Sequence, residues 1–210
     1  KEMNIKGVEI SKQAIKKNGF VFASIGPVGS LLGMNKISDE LLREAYSEQS
    51  LILADAGADA IVVETIADMN EAKIAFVAAK DTGLPVVVSI NFNKDVTPTT
   101  LKTADKLVDV MQKFPDADII GINCGTGIEH CLAHIKNLKS FTKVPLWLKP
   151  SAGIPSLVRG NVVYPTSSRI FVEYYRILIS LGVSFIGGCC GTTPEYIEML
   201  SKSVRRHFDN

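Results

Sequence analysis

An α/β fold of parallel strands, a (β/α)8 TIM barrel of which this chain covers about six units, is predicted by three features of the 210-residue sequence. Short runs rich in valine and isoleucine carry no polar alternation, the pattern of parallel strands covered on both faces. Longer amphipathic runs with helical spacing separate them. Polar, glycine, proline and cysteine residues gather just after the strand-like runs, where a barrel of parallel strands carries its functional face.

The elements follow in order. Ile5 to Lys17 reads as a helix. Phe20 to Ile25 is a strand ending in Gly26-Pro27. Asp39 to Ala56 is a helix, with Leu41, Leu42, Ala45, Leu51, Ile52 and Ala54 at helical spacing and Ser38 as its N-cap. Ala60 to Val63 is a strand ending at Glu64, and Met69 to Lys80 is a helix with Asp68 as its cap. Pro85 to Ile90 is a strand, Thr99 to Phe114 a helix, and Ile119 to Ile122 a strand ending at Asn123-Cys124. Ile128 to Leu138 is helical, and Val144 to Leu148 is a strand ending at Lys149-Pro150. A longer loop follows, with Gly160-Asn161 and Pro165 as turn signals. Arg169 to Ser180 is helical, and Ser184 to Ile186 is a strand running into Gly187-Gly188-Cys189-Cys190. Pro194 suits the first turn of a last helix reaching about His207.

Six strand–helix units do not close a barrel of eight, and the opening helix has no strand before it. The expectation is one domain, residues 1–210, lacking its first two units. An open doubly wound sheet is the alternative, but no G-x-G-x-x-G string follows a strand to support it.

Composition narrows the function. Hydrophobic residues make up 46% and charged residues 21%, and the formal net charge is +1, which calls for neither nucleic acid nor an anionic membrane as partner. The first residues are charged rather than apolar, and no run approaches the roughly 20 apolar residues of a membrane span. The expectation is a soluble cytoplasmic protein. In that reducing compartment the four cysteines are buried apolar groups, metal ligands or nucleophiles rather than disulfides.

Cys124 ends one strand and Cys189-Cys190 ends another. In a barrel such ends meet around one mouth, and three protein ligands with an open fourth position mark a catalytic zinc site. The spacing alone leaves buried structural cysteines as the competing reading.

The string Gly187-Gly188-Cys189-Cys190-Gly191-Thr192-Thr193-Pro194-Glu195, with Gly121-Ile122-Asn123-Cys124 before it, resembles the zinc motif of the homocysteine S-methyltransferase family. Gly26-Pro27-Val28-Gly29, Glu64-Thr65 with Asp68, Lys149-Pro150-Ser151-Ala152-Gly153 and Val163-Tyr164-Pro165 resemble further family motifs, in family order. The resemblance implies a zinc-bearing (β/α)8 barrel that binds homocysteine as a thiolate and moves a methyl group onto its sulfur to give methionine. It implies Cys124, Cys189 and Cys190 as metal ligands and Glu64 as the group holding the substrate ammonium; Asn123, read equally as a loop-ordering residue, and Ser151 are further candidate substrate contacts. The chemistry is coherent: the thiolate is the nucleophile, and zinc stabilises it without redox activity of its own. No general base is then required, and no catalytic residue beyond the zinc site is predicted.

The family's Asp-Gly-x-x-Gly-Thr motif is absent, in keeping with the count of six units, and Ser151 stands where the family loop has Asn. Thr65 resembles the cobalamin-linked methionine synthase branch, where the betaine-using branch carries an aromatic residue. This favours methylcobalamin, on a cobalamin-binding partner domain, as methyl donor over betaine or S-methylmethionine. Two other readings remain: a non-catalytic zinc-binding fragment, and a lyase barrel using Lys149 as a Schiff-base nucleophile. His130, Cys131 and His134 read as helix surface with one buried cysteine, Trp147 and Phe141 as core, and Tyr164 as a pocket-lining residue.

Overall fold

The computed structural model describes residues 1–16, 18–28, 37–66, 68–91 and 113–208. The chain divides into two compact units: Lys1–Ile90 with Lys113–Ile119, and a second from Ile120 through the last helix. Each holds parallel strands alternating with helices, so the fold is α/β.

The first unit runs α1 (Glu2–Ile15), β1 (Phe22–Ile25), α2 (Asp39–Asp55), β2 (Ala60–Glu64), α3 (Met69–Lys80) and β3 (Val86–Ile90). β1 pairs in parallel with β2, and β2 with β3, in a register that sets Ile25 beside Val63 and Glu64 beside Ser89. Ala60 to Val63 and Val86 to Ser89 are buried without a break, so both faces of these strands are covered. Each fully buried valine or isoleucine contributes about 1.5–3 kcal/mol relative to exposure. The helices start where their caps dictate: Ser38 accepts the Leu41 amide at 3.3 Å, and Asp68 accepts the Glu71 amide at 2.8 Å.

Two aspartates fasten the strand starts. Asp59 accepts the Val21 amide at 2.6 Å and the Lys12 ammonium at 2.7 Å. Asp118 accepts the Val86 amide at 2.8 Å and the Lys80 ammonium at 2.9 Å. Both follow an alanine and precede a strand, in Ala58-Asp59-Ala60 and Ala117-Asp118-Ile119.

The second unit holds β4 (Ile119–Cys124, whose first residue lies at the edge of the first unit), α4 (Ile128–Phe141), β5 (Leu146–Pro150), β6 (Ser156–Val158), β7 (Asn161–Val163), α5 (Ser168–Ser180), β8 (Val183–Ile186) and α6 (Pro194–Phe208). β5 lies between β4 and β8, parallel to both, pairing Cys124 with Pro150 and Leu148 with Ile186. Phe171 and Tyr175 of α5 are fully buried, and the Phe171 ring meets the rings of Tyr175 and Tyr196 edge to face at 5.2 and 5.4 Å.

The predicted elements stand within one to three residues of their predicted bounds, apart from the following. The helix expected from Thr99 lies outside the described residues until its last turn. The loop after β5 contains an antiparallel hairpin, β6–β7, closed by Arg159 and Gly160 at φ 50 and 79°. Paired positive φ values of this kind make the turn that suits strand twist. Phe141, expected in the core, is 49% exposed because it ends α4 one turn beyond the buried Leu138. Among the described residues no helix is long and apolar enough to cross a membrane.

Candidate metal centre

The centre is assembled in the second unit from the ends of three neighbouring strands. Cys124, the last residue of β4, has φ 58°, a conformation uncommon for a residue with a side chain. It is held there from β5: the Ser151 amide donates to the Cys124 carbonyl at 3.1 Å, and the Ser151 hydroxyl donates to the Gly125 carbonyl at 2.8 Å. The same stretch of chain reaches the other way. The Cys189 amide donates to the Pro150 carbonyl at 2.9 Å, and the Ala152 amide donates to the Cys190 carbonyl at 2.8 Å. Pro150, Ser151 and Ala152 thus lace both cysteine-bearing segments to the middle strand.

The turn after the cysteine pair is closed by Thr192, whose hydroxyl donates to the Cys189 carbonyl at 2.7 Å. Gly191 has φ 78°, and a Cβ there would run into the Tyr164 ring. Glycine is therefore required next to Cys190 on two counts, backbone angle and space.

These constraints gather three sulfurs. The Sγ atoms of Cys124, Cys189 and Cys190 all lie within 4.8 Å of one another, with Cys124 to Cys190 at 3.7 Å and Cys189 to Cys190 at 4.0 Å. Zinc–sulfur bonds of about 2.3 Å in a tetrahedron place neighbouring sulfurs roughly 3.8 Å apart, so the donor set and its spacing fit a zinc–thiolate centre. The electrostatics agree. Burial, then the negative charges of Cys189 and Cys190, push the Cys124 thiol up to about 12. Burial and the charge of Cys190 also raise Cys189. Such crowding opposes ionisation of the bare cluster, and a dication among the sulfurs reverses that opposition. Cys124 and Cys189 are half-buried and Cys190 is exposed, so the cluster is open on one side.

The other residues singled out from sequence are distributed as follows. Asn123 is fully buried beside Lys149 in the β4–β5 register, and Ser151 is 2% exposed. Glu64 belongs to the first unit, where the Ser24 hydroxyl donates to its Oε1 at 2.6 Å and the next residue, Thr65, has φ 66°. His130 is exposed, with Nδ1 3.0 Å from the Thr126 hydroxyl, whereas Cys131 and His134 are buried. The three cysteines are the one group of metal-ligating type among the described residues, and His130, Cys131 and His134 form no such group. The Lys149 ammonium lies over the Trp147 ring, 5.7 Å from its centre. Sequence reasoning missed the roles of Thr192 and of the Ala152 amide, although both fall inside the motif strings and Thr192 directly follows the Cys-Cys-Gly turn.

Parallel strands alternating with helices, with three cysteines gathered at neighbouring strand ends, mark an α/β protein that carries a sulfur-rich set of metal-ligand groups. The chain belongs to the homocysteine S-methyltransferase family, whose sequence profile matches residues 1–204. The chain is 31% identical to methionine synthase of Mycobacterium leprae over 196 residues, covering 90% of this chain and 16% of that protein. It is 29% identical to methionine synthase of Mycobacterium tuberculosis over 216 residues, covering 97% of this chain and 18% of that protein. It thus spans less than a fifth of the length of these relatives. In fold it is similar to the metallated form of the homocysteine methyltransferase MmuM from Escherichia coli, with a TM-score of 0.73 at 22% identity over 96% of this chain and 70% of that one.

Proposed function

We propose that residues 1–210 form the homocysteine-binding domain of a cytoplasmic methionine-forming methyltransferase, with zinc held by Cys124, Cys189 and Cys190. The observation that carries this reading is the cluster of three sulfurs within 4.8 Å of one another, with Cys190 at 3.7 Å from Cys124 and 4.0 Å from Cys189. When bound, zinc supplies Lewis acidity that keeps a substrate thiol in its nucleophilic thiolate form at neutral pH.

The chain's own residues do the rest. The amides of Ser151, Ala152 and Cys189 fix the backbone that carries the sulfurs. The open side next to Cys190 admits the substrate. The Glu64 carboxylate holds the ammonium of homocysteine, and Ser24 orients that carboxylate. Asn123 supplies an amide contact, and the Ser151 oxygen keeps acceptor capacity after donating its proton to Gly125. Similarity to two methionine synthases supports methylcobalamin on a separate cobalamin-binding domain as donor. Nucleic acid and membrane have no part in this function.

Calorimetric titration of the zinc-loaded chain with homocysteine tests the proposal. Binding is expected in the parent. Glu64→Gln is expected to weaken it roughly tenfold to a hundredfold, the range of a lost charge-assisted hydrogen bond, with zinc content unchanged. Equal affinity in parent and variant would remove Glu64 from the site. No binding by the zinc-loaded parent would contradict the substrate assignment.

A further inference from the structure

We propose that Tyr175 is a positioning residue for the metal centre, its hydroxyl setting the separation of β5 and β8 at which Cys189 and Cys190 meet Cys124. The inference rests on the reading that these cysteines hold zinc.

Tyr175 is fully buried on α5, and its hydroxyl reaches the last rung of the β5–β8 ladder. The Gly187 amide donates to the Leu148 carbonyl there at 2.9 Å. The Tyr175 hydroxyl oxygen stands within donating distance of two carbonyl oxygens, Leu148 at 2.9 Å and Gly187 at 2.5 Å. Its oxygen accepts from the Gly187 amide at 3.2 Å. One phenol thus ties together the two backbones that continue, two residues later, into Pro150 and Cys189, which are themselves bonded to each other at 2.9 Å.

A hold from outside is needed at this point. Gly187 and Gly188 have no side chains to pack, and glycine loses more freedom on ordering than any other residue. Without the hydroxyl, the Gly187 carbonyl loses its Tyr175 donor, and the segment leading to the cysteine pair is held by one rung fewer. Misplacing two of three ligands weakens the metal more than it weakens the fold, because the ring keeps its contact with Phe171.

The test is zinc affinity of the full chain by chelator competition, with the visible spectrum of the cobalt(II)-substituted protein and the thermal midpoint measured alongside. Tyr175→Phe is expected to lower zinc affinity roughly tenfold to a hundredfold, as loss of groups that orient metal ligands does. Its cobalt bands should shift and weaken. Phe171→Leu, which loosens the same packing without touching Gly187, is expected to lower the midpoint and leave affinity unchanged. 4-Aminophenylalanine at position 175 restores a donor and is expected to recover affinity. 4-Fluorophenylalanine fills the space without a donor, and keeps the comparison available if the phenylalanine variant does not fold. Parental affinity and an unchanged cobalt spectrum in the variants lacking a donor would overturn the proposal while leaving the zinc reading intact. A parent that binds no zinc, or a Cys124→Ser variant that keeps it, would overturn both.

Discussion

Cys124 and Gly191 show how closely single positions are specified around the sulfurs. Cys124 sits at positive φ, where a side chain costs about 1–2 kcal/mol, and the Ser151 amide and hydroxyl hold that turn in place. Gly191→Ala would add both the angular cost and a collision with the Tyr164 ring. It is expected to release zinc to a chelator at least tenfold more readily than the parent, an order of magnitude matching about 1.4 kcal/mol. Unchanged retention would mean that the turn has room which its geometry denies. Ser151 illustrates the limit of reading residues singly. Its motif position marks it for substrate, while its bonds in the fold serve the Cys124–Gly125 turn as well.

At the scale of elements, the aspartates that precede β2 and β4 act as paired fasteners of strand starts. The Lys12 bond and the Val21 amide hold the Asp59 carboxyl below its ordinary value of 3.8. Burial alone would raise Asp118, but the Val86 amide and Lys80 outweigh it and its pKa is lowered. A lowered folded pKa stabilises the fold above the ordinary carboxylate value, and that contribution is lost as pH falls through the lowered one. Asp59→Asn should therefore cost about 1 kcal/mol at pH near 7, since the pair is partly exposed, and the gap should close in acid. Urea midpoints at neutral and strongly acidic pH check this, and a gap that persists in acid would contradict it. In the β6–β7 hairpin, Arg159→Asn should stabilise by a few tenths of a kcal/mol, because asparagine followed by glycine favours the turn observed. Thermal melts that show no gain would place the turn's strain elsewhere.

The strands were legible because parallel strands covered on both faces leave unbroken apolar runs, and the helices because Ser38, Asp68 and Pro194 punctuate them. The hairpin was hidden because Ser156 to Val163 is exposed on both strands and carries no inward alternation. The three cysteines could be named from their motif, but the lacing through Pro150, Ser151 and Ala152 could not. Those bonds are made by backbone groups, which every residue carries and no sequence motif displays.

At the scale of the whole molecule, the chain spans 16% and 18% of the length of its two mycobacterial relatives. Under the proposed function it is expected to bind zinc and homocysteine, with methyl transfer drawn from methylcobalamin rather than from betaine. Turnover with betaine instead would reassign the donor. X-ray absorption at the zinc edge reads out whether three cysteine sulfurs hold the zinc and whether a substrate sulfur joins them. Three sulfur neighbours at about 2.3 Å with one lighter atom are expected, rising to four sulfurs when homocysteine is added. Nitrogen neighbours in place of sulfur, or a shell that homocysteine leaves unchanged, would contradict that expectation.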